Sequence, residues 1–123
     1  MEEQREGNTS GASISTAAVQ LLREYTGRGP TKAKTTISGD LVTILLADTL
    51  TKGERKLADN GHAERVLGLR HDFQMVMRED LISVVEGQLE RKVIAFMSQN
   101  HIDPDLAIEV FVLEPAAAAA GQG

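Results

Sequence analysis

Cysteine and tryptophan are absent from this chain of 123 residues, and aromatic side chains make up only 3% of it. Without cysteine the chain forms no disulfide, offers no thiolate to a metal and has no thiol nucleophile, which fits a reducing compartment. Because Tyr25, Phe73, Phe96 and Phe111 are the whole aromatic supply, we expect a core of Leu, Ile, Val, Met and Ala. Each Leu, Ile, Val or Met side chain contributes roughly 1.5–3 kcal/mol when it is fully buried.

Long apolar runs are also missing. The longest are Val93–Met97 and Ala116–Ala120, far short of the ~20 residues that cross a bilayer. The N-terminal segment is polar and unlike a secretory signal, so we predict a cytoplasmic protein with no membrane span of its own. The formal net charge of −5 argues against a nucleic-acid partner, because Lys and Arg supply most of the affinity for phosphates.

The composition, 41% hydrophobic and 25% charged, is typical of a folded globular domain. The apolar pattern predicts a single domain over residues 13–115. Residues 1–12 are polar and lack periodic apolar positions, so they are predicted to be a disordered tail, and so is the Ala/Gly segment 116–123.

Hydrophobic spacing predicts the order of the secondary-structure elements. A helix from Ile14 to Thr26 ends at Gly27, and Thr51 with Glu54 has the spacing of a capping box. The elements that follow the first helix are two strands, a short helix, a long helix and two strands: Thr31–Ile37, Asp40–Asp48, Thr51–Ala58, His62–Leu89, Lys92–Ser98 and Ala107–Leu113. This order, α-β-β-α-α-β-β, predicts an α+β fold in which an antiparallel four-stranded sheet carries the helices on one face.

The second strand of the first pair is almost continuously apolar from Leu41 to Leu46. Such a run is typical of a strand that is buried on both faces.

The long helix carries two apolar stripes. The stripe that includes Val66, Phe73 and Leu81 is predicted to dock on the sheet. The second stripe is predicted to bury itself against a second copy of the chain in a homodimer; it contains Leu67, Met75, Ile82, Val85 and Leu89. The alternative is a kink near Gly68 or Gly87 that folds both stripes into one protomer.

The segment from Gly27 to Lys34 reads GRGPTKAK and combines a flexible backbone with three cations. Such a loop suits an anion such as phosphate, a nucleotide or bicarbonate. The predicted ligand-binding residues are Arg28, Gly29, Thr31, Lys32 and Lys34. The alternative interpretation is a helix stop followed by an edge strand whose lysines discourage aggregation.

No arrangement of residues predicts catalysis or a resident metal or cofactor. His101, Asp103 and Asp105 lie within a short loop. Zinc sites usually need three or four ligands and catalytic metals a supporting shell, and a polar turn capped by Asp explains the same residues. Arg70 and other charges on the long helix alternate in sign, which predicts a salt-bridged surface. We therefore expect a protein that is not an enzyme.

Two stretches resemble a bacterial domain family named for MpsC. They are Leu22–Thr36, LREYTGRGPTKAKTT, and Arg91–Pro115, RKVIAFMSQNHIDPDLAIEVFVLEP. The resemblance implies a component of a sodium-translocating, membrane-potential-generating system, with a membrane transporter subunit as a possible partner, and it brings no established catalytic residue. The expected function is a soluble accessory or regulatory subunit of this or a related ion or inorganic-carbon transport system. It would act through self-association and protein contacts, peripheral to the inner membrane; the alternative is a sensor of a small anion.

Overall fold

The computed structural model describes residues 2–115, and the side chains from Thr9 onward. The predicted tail 116–123 lies outside the described residues. The elements in chain order are α1 (Glu2–Thr26), β1 (Lys32–Ser38), β2 (Leu41–Ala47), α2 (Lys52–Leu57), a kinked turn (Ala58–His62), α3 (Ala63–Leu89), β3 (Val93–His101) and β4 (Leu106–Leu113). The predicted α+β class and order of elements are confirmed.

Helix α1 is longer than the sequence pattern predicts. It begins at Glu2 instead of Ile14 and so runs through most of the segment predicted to be a disordered tail. Gly11 is buried where α1 passes β1. One turn later, the hydroxyls of Ser15 and Thr35 form a hydrogen bond of 2.7 Å. The polar residues of this turn thus join the helix to the edge of the sheet.

The four strands form one antiparallel sheet in the order β1-β2-β4-β3. Strands β1 and β3 are therefore the edges, and β2 pairs with β4 in the centre. Strand β3 runs to His101 and not to Ser98, because Gln99 and Asn100 continue the ladder opposite Ile108 and Ala107.

Helices α1 and α3 pack on the same face of the sheet, α1 along β1 and α3 along β3. Alternate residues of β2 and β4 point into this covered face, where Ile44 and Phe111 have no exposed surface. The ring centroids of Phe96 and Phe111 lie 5.2 Å apart. The core consists mainly of aliphatic residues, as the composition predicts: Ile14, Ala18, Leu22, Val42, Ile44, Leu46, Met77, Leu81, Val85, Ala107, Phe111 and Leu113.

The break between α2 and α3 lies where the sequence predicts it. The hydroxyl of Thr51 accepts a hydrogen bond from the amide of Glu54, and the Glu54 carboxylate accepts one from the amide of Thr51. Gly61 has a φ of 88°, which a residue with a side chain rarely adopts. The chain kinks at Asn60 and Gly61 and then enters α3, which continues without interruption through Gly68 and Gly87.

The buried stripe of α3 differs from the predicted one. It consists of Val66, Arg70, Gln74, Met77, Leu81 and Val85. Val85 is 0% exposed and belongs to the core, so it is not on a free surface as its assignment to the second stripe requires. Arg70 is 1% exposed, and its predicted place on a salt-bridged surface is corrected. A stripe interrupted by two polar residues does not stand out as a buried stripe in the sequence, because apolar periodicity is the signal that identifies one.

Candidate functional site

The face of the sheet opposite the helices is uncovered and apolar. Leu41 and Leu45 of β2 are 44% and 43% exposed, and Met97 of β3 is 53% exposed. Ile94, at the register irregularity between Val93 and Ala95, is 55% exposed. Between them, β4 contributes alternate aliphatic side chains to the same face: Leu106, Ile108, Val110 and Val112. We call this surface the open face.

Charge on the open face is confined to one edge. Lys32 and Lys34 are the exposed, outward positions at the start of β1. At the opposite edge β3 contributes Gln99 and His101. Within the four described strands, no outward position is acidic. The open face is therefore aliphatic in its centre, cationic along β1 and almost uncharged along β3.

The covered face has a different character under the N-terminal half of α3. There, polar side chains lie between α2, α3 and the sheet, four of them buried and Ser98 and Asn100 half-buried: Glu54, Arg70, Gln74, Ser98, Asn100 and Glu109. We call this group the buried polar layer. Gln74 Nε2 and Ser98 Oγ donate hydrogen bonds of 3.2 and 2.8 Å to Glu109 Oε1, and Asn100 Nδ2 donates one of 2.8 Å to Gln74 Oε1.

The charged members of the buried polar layer are incompletely paired. Arg70 Nη1 lies 3.4 Å from Glu54 Oε1, which is a long ion pair. Burial raises the pKa of the Glu109 carboxyl to about 7, although the hydrogen bonds from Ser98 and Gln74 and the charge of Arg70 act in the opposite direction. Glu109 thus titrates near neutral pH.

A small cavity of about 130 Å³ opens beside the buried polar layer, between α3 and the edge strand β3. It is lined by Leu67, His71, Gln74, Ser98, Gln99 and Asn100. Only one of the lining side chains, His71, is titratable. Among the described residues, no group of three or more His, Cys, Asp or Glu side chains is placed to hold a metal ion.

Asp105, in the loop before β4, has a structural role. Its carboxylate accepts hydrogen bonds from the amides of Thr49 and Leu50 and forms an ion pair of 3.0 Å with Arg55. His101 Nδ1 lies 2.7 Å from the carbonyl oxygen of Pro104. These contacts close the β3–β4 turn and fasten it to the segment after β2, as expected of a turn capped by Asp.

The predicted anion loop is held by an acidic residue of the chain itself. Arg28 Nε donates a hydrogen bond of 3.0 Å to the carbonyl oxygen of Asp48, and the hydroxyl of Thr31 donates one to the Asp48 carboxylate. Gly29 lies against the guanidinium of Arg23, which a side chain at this position would displace. Lys32 and Lys34 are on the open face. Binding of an anion by this loop stays a prediction.

The predicted dimer stripe of α3 is largely engaged within the protomer. Besides Val85, Ile82 and Leu89 pack against the core, and Leu67 lines the cavity. Only Met75 is exposed, at 43%. Among the described residues, exposed large apolar side chains lie on α2 and α3 and also on the sheet, where sequence reasoning did not place them. The sequence feature that indicates an apolar surface on the sheet is the apolar run of β2, because it predicts apolar side chains on both faces of that strand.

Among the described residues, no helix has both the length and the apolar character that crossing a membrane requires. No curated protein and no solved structure matches the chain. A family model does match, over residues 8–115, which is nearly the whole chain and includes both resembling stretches. The chain therefore belongs to the MpsC family, which is described as the Na⁺-translocating membrane potential-generating system.

Proposed function

We propose that this chain is a non-enzymatic accessory subunit of a membrane-potential-generating system and that it acts through self-association and protein contacts. The observation that carries the proposal is the open face, which leaves aliphatic side chains about half exposed across the central and edge strands. The family assignment supports a role in such a system. The subunit would be a homodimer on the cytoplasmic side, peripheral to the membrane through contact with a transporter component.

The energetics of the open face support an assembly role over a catalytic one. Covering apolar surface contributes roughly 25 cal/mol per Å² removed from water, and a large exposed apolar patch usually marks a site of interaction. The buried polar layer, by contrast, has its side chains directed toward one another. Its hydrogen bonds connect α3 to β3 and β4, which suits a role in positioning the helix.

The experiment compares two double variants in a cell whose own copy of the gene has been replaced. Leu41→Ser with Leu45→Ser changes the open face. Leu69→Ser with Val76→Ser is the matched control, because these two aliphatic residues of α3 are also exposed, at 44% and 64%. The measurement is the sodium-dependent membrane potential, read with a potential-sensitive dye, together with the amount of folded protein.

We expect the open-face variant to reduce the potential to that of a strain lacking the gene, while the α3 control retains it. Both variants should accumulate to the level of the unmodified protein, because all four positions are exposed. An open-face variant that accumulates normally and sustains the full potential would contradict the proposal.

A further inference from the structure

We propose that the open face is covered by a second copy of this chain, sheet against sheet, about a two-fold axis that runs parallel to the strands. This inference rests on the self-association included in the proposed function, and it names the surface, the occupant and the orientation. The result is a four-layer particle with helices outside and two sheets inside, in place of an interface built on α3.

The apolar character of β2 on both faces is the first reason to expect a sheet as the occupant. Val42, Ile44 and Leu46 are buried under the helices, while Leu41 and Leu45 of the same strand are exposed. A strand that is apolar on both sides is typical of a sheet covered on both sides. Two antiparallel sheets pack face to face about 10 Å apart through interdigitating aliphatic side chains, which the open face supplies.

A second copy fits this surface better than a lipid bilayer does. Protein surfaces that sit at a membrane interface are enriched in Trp and Tyr. The chain has no Trp, and Tyr25 belongs to α1, where it donates a hydrogen bond of 2.6 Å to Asp80 of α3. Two lysines at one edge are also few cations for a lipid contact. The aliphatic centre is instead self-complementary, as a two-fold interface requires.

The position of the lysines selects the direction of the axis. With the sheet order β1-β2-β4-β3, an axis perpendicular to the strands places β1 over β1 of the partner. This axis also reverses height along the strands, so with the axis at the Thr36 row Lys34 would lie over Ser38 of the partner. The lysines of both copies would gather along the same edge of the particle, where like charges repel one another. An axis parallel to the strands places β1 over β3 of the partner, where the outward residues are uncharged apart from His101.

The strand register converts this orientation into residue pairs. A rotation about an axis parallel to the strands preserves height along them, so residues in the same cross-strand row face each other between copies. Thr36 shares a row with Thr43, Val110 and Met97. Thr36 of one copy therefore lies over Met97 of the other. By the same reasoning, Lys34 lies over Gln99, where its aliphatic stem covers the edge and its ammonium reaches solvent.

A cysteine crosslinking experiment tests the pairing, and the chain suits it because it has no cysteine of its own. Two single variants, Thr36→Cys and Met97→Cys, are each treated with a short bismaleimide, alone and as an equal mixture allowed to exchange subunits. Both positions are exposed and point outward. We expect covalent dimers in the mixture and almost none in either variant alone.

Each other crosslinking result overturns the orientation. Dimers of Thr36→Cys alone would indicate an axis perpendicular to the strands. Dimers of Met97→Cys alone would indicate either that axis or edge-to-edge pairing of β3 with its copy. If light scattering shows a dimer but no sample crosslinks, the proposed pairing of Thr36 with Met97 is wrong, although the self-association stands. If light scattering shows a monomer at every concentration, the chain does not self-associate and the proposed function fails as well.

A charge substitution tests the surface independently of crosslinking. Leu45→Lys lies near the centre of the open face, and Met75→Lys is a matched control on α3 with the same 43% exposure. We expect Leu45→Lys to raise the dimer dissociation constant about a hundredfold or more, since central interface residues dominate binding. Met75→Lys should leave it within about threefold.

The reverse result, a monomer from Met75→Lys and an unchanged dimer from Leu45→Lys, would return the interface to α3. Leu45→Lys should keep the far-ultraviolet circular dichroism and cooperative unfolding of the parent, which shows that lost association is not lost folding. If the unmodified chain stays monomeric and sediments with phosphatidylglycerol vesicles, a lipid surface is the occupant and the proposal of a second copy fails.

Discussion

The two faces of the sheet distribute polar and apolar side chains in opposite ways. The covered face holds an aliphatic core and also a layer of buried charged and amide side chains, including Arg70 and Glu109, which are 1% and 3% exposed. The open face holds aliphatic side chains that meet solvent, with cations only along β1. The covered face thus buries polar side chains, while the open face exposes aliphatic ones. The comparison shows that the fold of one protomer leaves aliphatic side chains of the sheet in contact with solvent.

The buried polar layer is less stabilising than its burial suggests. Side-chain atoms without a hydrogen-bond partner remain within it: Glu54 Oε2, Arg70 Nε, Asn100 Oδ1 and Glu109 Oε2. A buried ion pair often contributes little net stability, because desolvation offsets its attraction. We therefore assign the layer a role in fixing the position of α3 on the sheet and expect most of the stability of the covered face from its aliphatic part.

The largest expected effect compares neighbouring residues of β4 that point to opposite faces. Phe111 is 0% exposed on the covered face, so Phe111→Ala should lower the free energy of unfolding by about 3–5 kcal/mol. Val110→Ala removes surface from the open face and should cost less than about 1 kcal/mol in the monomer. Urea denaturation at a concentration that gives monomers measures both. Equal losses would mean that the two faces are equally buried.

The next effect concerns pH and the buried polar layer. The folded protein binds the Glu109 proton more tightly than the unfolded chain does, since the pKa rises from 4.5 to about 7 on folding. The corresponding stability is fully present below about pH 4.5 and is lost as the pH rises to about 7. The total loss is on the order of 3 kcal/mol.

Glu109→Gln should abolish this dependence, so that the variant gains stability relative to the parent as the pH rises from 5 to 8. Exposed Glu79 on α3 provides the control, because Glu79→Gln should leave the pH profile unchanged. Thermal unfolding of the parent and both variants, measured from pH 5 to 8, gives the pH dependence of their stability. A parent profile without any fall between pH 5 and 7 would show that Glu109 is ionised throughout at little cost.

The smallest of these effects is expected at Asp105, whose carboxylate fastens the β3–β4 turn to the segment after β2. Asp105→Ala leaves the amides of Thr49 and Leu50 without their acceptor and should cost about 2 kcal/mol. Asp103→Ala, in the same turn but exposed, should change stability by less than about 0.5 kcal/mol. Chemical denaturation of both variants gives the comparison. Similar values for the two would show that the turn needs no anchor.

Sequence reasoning predicted most of the fold because its signals are local. The spacing of Thr51 and Glu54 predicts a capping box that the structure contains, and the break before Gly61 follows from residues that disfavour a helix. The strand pairs, the order of elements and the helices on one face were also predicted. The extension of β3 to His101 was missed, because polar residues such as Gln99 and Asn100 lack the apolar alternation that identifies a strand.

The candidate site was harder to predict because it depends on which surface remains uncovered. The apolar stripe through Met75 and Val85 on α3 was assigned to a partner, and the apolar run of β2 to the interior. The structure places Val85 in the core and exposes Leu41 and Leu45. Composition cannot distinguish these outcomes, because both surfaces are aliphatic, and only the seating of α1 and α3 on one face determines which of them is left over.

The sequence by itself determined the class of fold, the succession of its elements, the aliphatic core and the membership of the MpsC family, since periodicity, turn residues and motifs are properties of neighbouring positions. Only the tertiary structure decided that Arg70 and Glu109 are buried together and that one face of the sheet is open. Those two facts arise from residues far apart in the chain, which come together when α3 packs across β3 and β4.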